Sequence, residues 1–135
     1  MDKEIAIEWV KALRSGKYRQ TSYRLCKILN TLLELDGKCE HYHCCLGVLL
    51  EVCKSKFPGS IDMVMATDNS YQCTFNGDKY LSGDGDDLSA SYLPRSLANK
   101  IGLGDSQQDY ANLNDTKALT FEDIANEIER VELGL

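Results

Sequence analysis

The chain has 135 residues, a formal net charge of −6 and a pI near 4.9. This length predicts one domain, residues 1–135, that buries a core without disulfide or metal support. The acidic balance disfavours broad nucleic-acid binding, which requires a basic surface, and no apolar run approaches the roughly 20 residues of a membrane span.

The N-terminal segment is amphipathic. Apolar side chains at helical spacing predict a helix from about Ile5 to Leu13, ended by Ser15 and Gly16. Acidic side chains within it argue against a signal or transit peptide, so we expect a cytoplasmic protein. A polar, turn-like segment, residues 16–22, follows.

The next segment has two readings. The spacing of apolar side chains in residues 25–33 predicts a second helix with one buried face. Alternatively, residues 31–35 form a strand paired with residues 38–44 through the turn at Asp36 and Gly37. In either case residues 39–44 suit a short strand, and residues 45–56 suit a helix that ends before Pro58.

The second half mixes strands and helices. Residues 61–66 suit a strand, and residues 71–75 and 79–81 flank Asn76-Gly77, a strong hairpin signal. Pro94 begins a helix that Gly102 ends. Thr120 is a good N-cap for the last helix, whose apolar stripe comprises Phe121, Ile124, Ala125, Ile128 and Val131.

These elements predict a single compact α+β domain with four to five helices packed against a small antiparallel sheet. The helical stripes should share one core. Its expected members are Trp9, Leu13, Leu29, Leu32, Leu46, Leu49, Val52, Leu97, Ile124 and Ile128.

The run from His41 to Val52 concentrates histidines and cysteines. Cys39, His41 and His43 alternate along a predicted strand, and with Cys44 or Cys45 they could form a zinc ligand set. Their spacing matches none of the usual zinc patterns, so we predict no metal and no cofactor.

The chain contains six cysteines. In a cytoplasmic protein we expect reduced thiols and no disulfide, with Cys45 and Cys53 buried. A position at a helix N-terminus would lower the pKa of Cys44 or Cys45 and favour a thiolate nucleophile. The only histidines lie one to four residues away, too near for the usual cysteine–histidine arrangement, so we predict no catalytic residue.

Charge is distributed unevenly along the chain. Basic side chains dominate residues 3–27, and acidic ones dominate from Asp105 onward. The two ends could attract each other, or each could present a solvated helix face. Alternatively, the basic part binds an anionic ligand and the acidic tail binds a basic partner.

The polar segment after the first helix is the candidate ligand-binding region. Ammonium and guanidinium groups suit phosphates, and a tyrosine ring suits a nucleobase. Tyr92 precedes a helix start, where backbone donors favour an anion. The candidates are Lys17, Tyr18, Arg19 and Gln20, with Arg24 and Tyr92 as secondary choices.

An ordered set of motifs spans nearly the whole chain. It reads W-x-x-A-L-x-S-G-x-Y-x-Q, then C-C-L-G-V-L, L-P with G-L, L-N-D and F-x-x-I-A-x-x-I-E. Here these motifs occupy Trp9 to Gln20, Cys44 to Leu49, Leu93-Pro94 with Gly102-Leu103, Leu113 to Asp115 and Phe121 to Glu129. The set resembles a group of small, mostly unannotated proteins of tailed bacteriophages and prophages. Residues 25–43 look expanded beside the corresponding link in that group.

The resemblance implies a phage context. With the basic segment, it predicts a non-enzymatic accessory (counter-defence) protein that binds and sequesters a small anionic ligand, such as a nucleotide immune signal, in the cytoplasm of the infected host. Two alternatives stay open: an acidic inhibitor of a host defence protein, and a thiol- or zinc-dependent enzyme. The sequence also leaves open whether the chain forms a homo-oligomer.

Overall fold

A computed structural model describes residues 1–28, 41–65, 71–78 and 91–135. Within these ranges the chain forms five α-helices and five short strands, which confirms the predicted α+β class. In chain order they are α1 Lys3–Arg14, β1 Arg19–Gln20, β2 Lys27–Ile28, β3 His41–His43, α2 Cys45–Lys56, β4 Ile61–Met65, β5 Tyr71–Phe75, α3 Arg95–Lys100, α4 Ser106–Asp115 and α5 Phe121–Glu132.

Helix α1 forms where the apolar spacing predicts it. The Asp2 side chain accepts a hydrogen bond from the Ile5 N–H at 3.0 Å, which caps an otherwise unsatisfied donor of the first turn. The apolar face packs against α2 and α5. On that face, Trp9 is fully buried, and its Nε1 donates to the carbonyl oxygen of Cys45 at 2.9 Å. This bond ties α1 to the first turn of α2.

Helix α2 has the predicted bounds and is buried along most of its length. Gly47 allows another part of the backbone to approach it closely. A Cβ atom at Gly47 would lie 1.7 Å from the carbonyl oxygen of Leu25, far inside van der Waals contact. Only glycine therefore lets the chain before β2 pack directly on α2.

Strand β3 is the centre of a three-stranded sheet with the order β1-β3-β2. Arg19 of β1 lies opposite Tyr42 in a parallel pair, and Lys27 of β2 lies opposite the same residue in an antiparallel pair. The sheet is therefore mixed, and the segment predicted to be a polar turn contributes its edge strand β1.

The predicted helix over residues 25–33 is wrong where the structure describes it. Lys27–Ile28 is a strand, because pairing with β3 and the contact of Leu25 with Gly47 override the local helical spacing. The predicted strand over 39–44 is confirmed for His41–His43. The alternative strand at residues 31–35 lies outside the described residues, as do Leu29, Leu32 and Cys39.

A second sheet pairs β4 with β5 in antiparallel register, Ile61 opposite Phe75 and Met65 opposite Tyr71. The predicted turn after β5 is confirmed. Asn76 and Gly77 have φ values of 51° and 87°, as the two central residues of a type I′ hairpin turn require. The expected partner strand at 79–81 lies outside the described residues, and the pairing seen for β5 is with β4.

Helices α3 and α5 begin and end near their predicted signals. Pro94 caps α3, Gly102 follows it with a φ of 78°, and the Thr120 hydroxyl caps α5 by accepting from the Asp123 N–H at 3.2 Å. Val131 was expected in the buried stripe of α5, and this expectation is wrong. Its side chain is 53% exposed because it lines an open groove between α4 and α5.

Helix α4 was not predicted from the sequence. Its buried face carries Gln107 and Asn114 beside Tyr110 and Ala111, so the apolar period is broken. Gln107 compensates by hydrogen bonding both backbone groups of Leu93, accepting at 2.8 Å and donating at 3.2 Å. A polar residue inside the core is tolerated when its hydrogen bonds are made.

One hydrophobic cluster joins all five described helices and β5. Seven predicted core residues are buried in it: Trp9, Leu13, Leu46, Leu49, Leu97, Ile124 and Ile128. Val52 is only half-buried and packs against its edge. Within the described residues, no helix has the length and apolar character needed to cross a membrane.

Gly47 provides a test of this packing. Replacing it with alanine should lower the free energy of unfolding by at least about 2 kcal/mol, because the new methyl group would overlap the Leu25 backbone. Alanine is intrinsically better than glycine in a helix, so propensity alone predicts the opposite sign. Ser55→Ala on the same helix is the control and should change stability by less than about 0.5 kcal/mol. Equal stability of the two variants in urea unfolding would contradict the contact.

Candidate functional site

The candidate site for a small ligand is a cavity of about 550 Å³ between α1 and α2, here called the α1–α2 groove. The Trp9–Cys45 hydrogen bond fixes its two walls relative to each other. Its rim is completed by the loop that leaves α1. The lining residues are Glu8, Lys11, Ala12, Ser15, Lys17, Tyr18, Glu51, Val52, Ser55 and Lys56.

The groove is more basic than the chain as a whole. Three lysines line it against two glutamates, in a protein with a net charge of −6. Lys11 lies 3.6 Å from Glu8, and both side chains are largely exposed. Lys56 lies 3.8 Å from Glu4, and Lys17 places its Nζ 5.5 Å from the ring centre of Tyr18. Exposed pairs of this kind are weak, so the ammonium groups can exchange their partners for a ligand.

The wall behind Tyr18 is formed by His43, which is only 5% exposed. The two rings meet edge to face with their centres 5.1 Å apart. His43 Nε2 lies 3.5 Å from Glu51 Oε1, and within the described residues its Nδ1 has no hydrogen-bond partner. A buried imidazole therefore contacts two residues that line the groove.

Glu51 is held as a carboxylate. Burial alone would raise its pKa, but His43 and Lys54, whose Nζ lies 2.9 Å from Oε1, outweigh that effect and lower the pKa to about 2. The folded state therefore gains stability from ionised Glu51 above the ordinary carboxyl pKa. That contribution is lost as the pH falls toward 2.

The structure separates the six predicted ligand residues. Lys17 and Tyr18 line the α1–α2 groove, whereas Arg24 and Tyr92 line a different groove of about 650 Å³ beside α4. Arg19 is exposed on β1 and lines neither cavity. The predicted set is therefore not one site, and only its first two members combine with α2.

Gln20 has a structural position. Its Nε2 donates to Asn114 Oδ1 at 2.9 Å and to the carbonyl oxygen of Leu119 at 2.7 Å, which anchors the loop after α1 onto α4. In the groove beside α4, Arg24 Nη1 donates to the Tyr23 carbonyl at 2.8 Å. This bond supports Tyr23 in a left-handed backbone conformation with a φ of 66°.

Asn114 is the residue that the sequence reasoning missed. It is 1% exposed and makes four hydrogen bonds. Its Oδ1 accepts from Gln20 Nε2 at 2.9 Å and from the Cys45 N–H at 3.1 Å, while its Nδ2 donates to the Thr21 carbonyl at 2.9 Å and to Asp115 Oδ1 at 2.8 Å. The L-N-D motif marks this position, although the motif alone assigns it no role.

The cysteines are not arranged as nucleophiles. Cys44 is the N-cap of α2, where the helix dipole was expected to lower its pKa, but burial dominates and raises the pKa to about 12. Burial likewise raises the pKa of Cys45 well above its ordinary value. Desolvation in the core destabilises the thiolate more than the helix dipole stabilises it, so neither thiol ionises near neutral pH.

Among the described residues, no group of three or more histidine, cysteine, aspartate or glutamate side chains could hold a metal ion. Of the five candidate ligands, His43, Cys44 and Cys45 are buried. Cys39 and the side chain of His41 lie outside the described set.

The acidic C-terminal helix is paired largely within the molecule. Arg14 of α1 lies 2.5 Å from Glu129 and 3.3 Å from Glu122. Arg130 pairs with Glu127 on the same helix. The two oppositely charged ends of the chain therefore attract each other, one of the alternatives that the sequence left open.

The chain matches no protein-family model, no curated protein and no solved structure. The phage resemblance therefore stays a prediction. The chemistry of the α1–α2 groove is the basis on which a function can be proposed.

Asn114 yields a direct stability prediction. Asn114→Ala should destabilise the fold by about 2 to 4 kcal/mol, because the buried Cys45 N–H and its other partners lose their hydrogen bonds. Asn112→Ala, at an exposed position on the same helix, should cost less than about 0.5 kcal/mol. Chemical unfolding of both variants measures the two changes in free energy of unfolding. Comparable losses of stability in the two variants would show that Asn114 does not hold the loop after α1 and the start of α2 in place.

The thiols provide a second test. Ellman's reagent should react slowly at pH 8 with Cys44, Cys53 and Cys73 of the native protein, because burial raises the pKa of each of these thiols to about 12. After denaturation without reductant the same assay should count six thiols. Two or fewer would mean that disulfides form. A fast-reacting native Cys44 or Cys45 would revive the thiol-enzyme alternative.

Proposed function

We propose that this protein is a non-enzymatic binding protein that holds a small anionic ligand of nucleotide size in the α1–α2 groove. The observation that carries the proposal is the combination of three lysines with a half-buried tyrosine around one cavity, on a chain whose overall charge is strongly negative. A surface of that sign would otherwise repel an anion.

The size and chemistry of the groove suit a nucleotide. Cavities of about 300 to 1,000 Å³ hold small ligands and cofactors, and this one is about 550 Å³. Lysine ammonium groups bind phosphate oxygens as point charges. Tyr18 contributes a ring that packs edge to face with His43, and Lys17 Nζ lies over that ring at 5.5 Å from its centre. A planar base that stacks on Tyr18 would take the place of this ammonium group, which is then available to a phosphate.

Binding suits this groove better than catalysis. Glu51 is held ionised by His43 and Lys54, which makes it a poor general acid at neutral pH. The thiols of Cys44 and Cys45 are in the core, with raised pKa values. Apart from Ala12 and Val52, the side chains that line the groove are charged or hydrogen-bonding groups suited to holding a ligand.

The phage-like pattern supports the same location. Ala12, Ser15 and Tyr18, all specified by the W-x-x-A-L-x-S-G-x-Y motif, line the groove, whereas the lysine positions are unspecified by the pattern. We therefore propose a phage-encoded accessory protein that sequesters a nucleotide-like signal in the host cytoplasm. In this proposal, the lysines set the ligand preference of this particular chain.

The acidic-inhibitor alternative receives less support. An inhibitor of a basic protein needs unpaired carboxylates on its contact face, but Glu122, Glu129 and Glu127 of α5 are engaged by Arg14 and Arg130. Docking a basic partner there would first have to break these pairs. The ion pairs at the α1–α2 groove are longer, 3.6 Å for Lys11–Glu8 and 3.8 Å for Lys56–Glu4, so an anion that enters the groove displaces weaker contacts.

The groove lysines provide the test. Wild-type protein is titrated with cyclic and linear nucleotides by isothermal calorimetry. Lys17→Ala with Lys56→Ala together should weaken binding by about a hundredfold or more, since two charge-assisted contacts are lost and each is worth about 1.5 to 3 kcal/mol. The double variant should melt at an unchanged temperature, because both side chains are exposed.

Lys27→Ala is the control, because it removes one exposed positive charge outside the groove. It should retain wild-type affinity, as should Arg19→Ala. The same variants should then be compared for protection of phage in a host with a nucleotide-signalling defence. Full binding and full protection by the double variant would overturn the proposed site.

A further inference from the structure

His43 is a buried titratable residue directly behind the proposed binding groove. It is 5% exposed, and its ring packs edge to face on Tyr18 at 5.1 Å. Its Nε2 lies 3.5 Å from Glu51 Oε1, too long for a strong hydrogen bond. Buried polar groups usually make hydrogen bonds, so a buried imidazole whose contact with Glu51 is this long calls for a physical explanation.

Three elements lie around His43, and two of them contribute charged groups. Helix α2 contributes Glu51, and Lys54 already lies 2.9 Å from the same carboxylate oxygen. The loop before β1 contributes Tyr18, with Lys17 5.5 Å from its ring centre. The β1 residue paired with His43 is the neutral Gln20. Because Lys54 already balances Glu51, a proton on His43 adds net positive charge at this wall.

We infer that His43 couples the α1–α2 groove to pH, so that protonation of its imidazole strengthens the binding of an anion and anion binding takes up a proton. This inference rests on the proposed function. His43 does not line the groove, so it acts as a positioning residue through Tyr18 and Glu51.

Two physical effects act in the same direction. The imidazolium adds a favourable Coulomb interaction with the ligand across the low-dielectric wall. It also converts the long contact with Glu51 into a charge-assisted hydrogen bond, which draws that carboxylate away from an incoming anion. Histidine is the side chain that ordinarily changes charge between pH 5 and 8, and this interval is therefore the one to test.

The coupling also determines the best probe. A phosphate monoester itself titrates near pH 6 and would lose charge over the same interval. A phosphodiester such as cyclic GMP keeps its single negative charge, so any pH dependence of its affinity belongs to the protein. The probe for the experiment is therefore cyclic GMP at constant ionic strength, which holds the screening constant.

The experiment measures the affinity for cyclic GMP from about pH 8 down to about pH 5.5. Wild-type affinity should rise about threefold to tenfold, the range expected for one added charge at a partly screened wall. His43→Phe keeps an aromatic ring against Tyr18, His43→Asn keeps a polar side chain, and both should be pH-independent. His41→Asn is the matched control, because it removes the only other histidine of the chain and should behave like wild type.

Calorimetry in buffers of different ionisation heat provides a second readout. At intermediate pH, wild-type and His41→Asn proteins should take up protons on binding, and the two His43 variants should not, because linkage is reciprocal. A merely structural role for His43 would change the melting temperature without creating this proton uptake. If His43→Phe fails to fold, proton uptake by the wild-type protein and the pH dependence of the affinity of His43→Asn still test the role of His43.

The outcomes separate the two proposals. Absence of cyclic-nucleotide and linear-nucleotide binding at every pH would overturn the proposed function, and this inference with it. Binding that depends on Lys17 and Lys56 but shows the same affinity at both ends of the pH range would leave the proposed function standing and overturn the role of His43. The role of His43 would likewise be overturned if the affinity of both His43 variants for cyclic GMP changed with pH as the wild-type affinity does.

Discussion

The first turn of α2 is the constraint on which the rest of the structure depends. Three separate segments contact its backbone: α1 through Trp9 Nε1, α4 through Asn114 Oδ1, and the chain before β2 through the close approach of Leu25 to Gly47. Each contact needs a particular side chain, or the absence of one. Packing of α2 in the core therefore determines where the neighbouring elements lie.

The groove is a consequence of this arrangement. Its α1 wall is positioned by Trp9, and the loop that carries Lys17 and Tyr18 is anchored on α4 by Gln20. Arg14, next to the groove residue Ser15, is engaged by Glu122 and Glu129 of α5, which offsets part of the negative charge of that helix within the molecule. Lys11, Lys17 and Lys56 therefore lie together at the groove, whose lining includes no residue of α5.

Elements that carry both periodic apolar residues and local end signals could be predicted from the sequence. Helices α1, α2 and α5 have buried stripes and end signals that agree, and the turn at Asn76 and Gly77 has the residues its backbone requires. The prediction of secondary structure was wrong or incomplete where long-range contacts override the local spacing of apolar residues. Lys27–Ile28 pairs with β3, and α4 buries Asn114 and Gln107 because distant backbone groups complete their hydrogen bonds.

The sequence by itself determined the α+β class, the bounds of α2, most of the described core, and Lys17 and Tyr18 as candidate ligand contacts. These features depend on composition and on short-range spacing, which a linear chain displays directly. Only the tertiary structure decided that Glu51 and Lys56 of α2 face those two residues, that Gln20 is a structural anchor, and that His43 lies buried behind the site. These relationships join residues distant in sequence, and burial and neighbouring charge, which set the protonation of Cys44 and Glu51, exist only once the chain has folded.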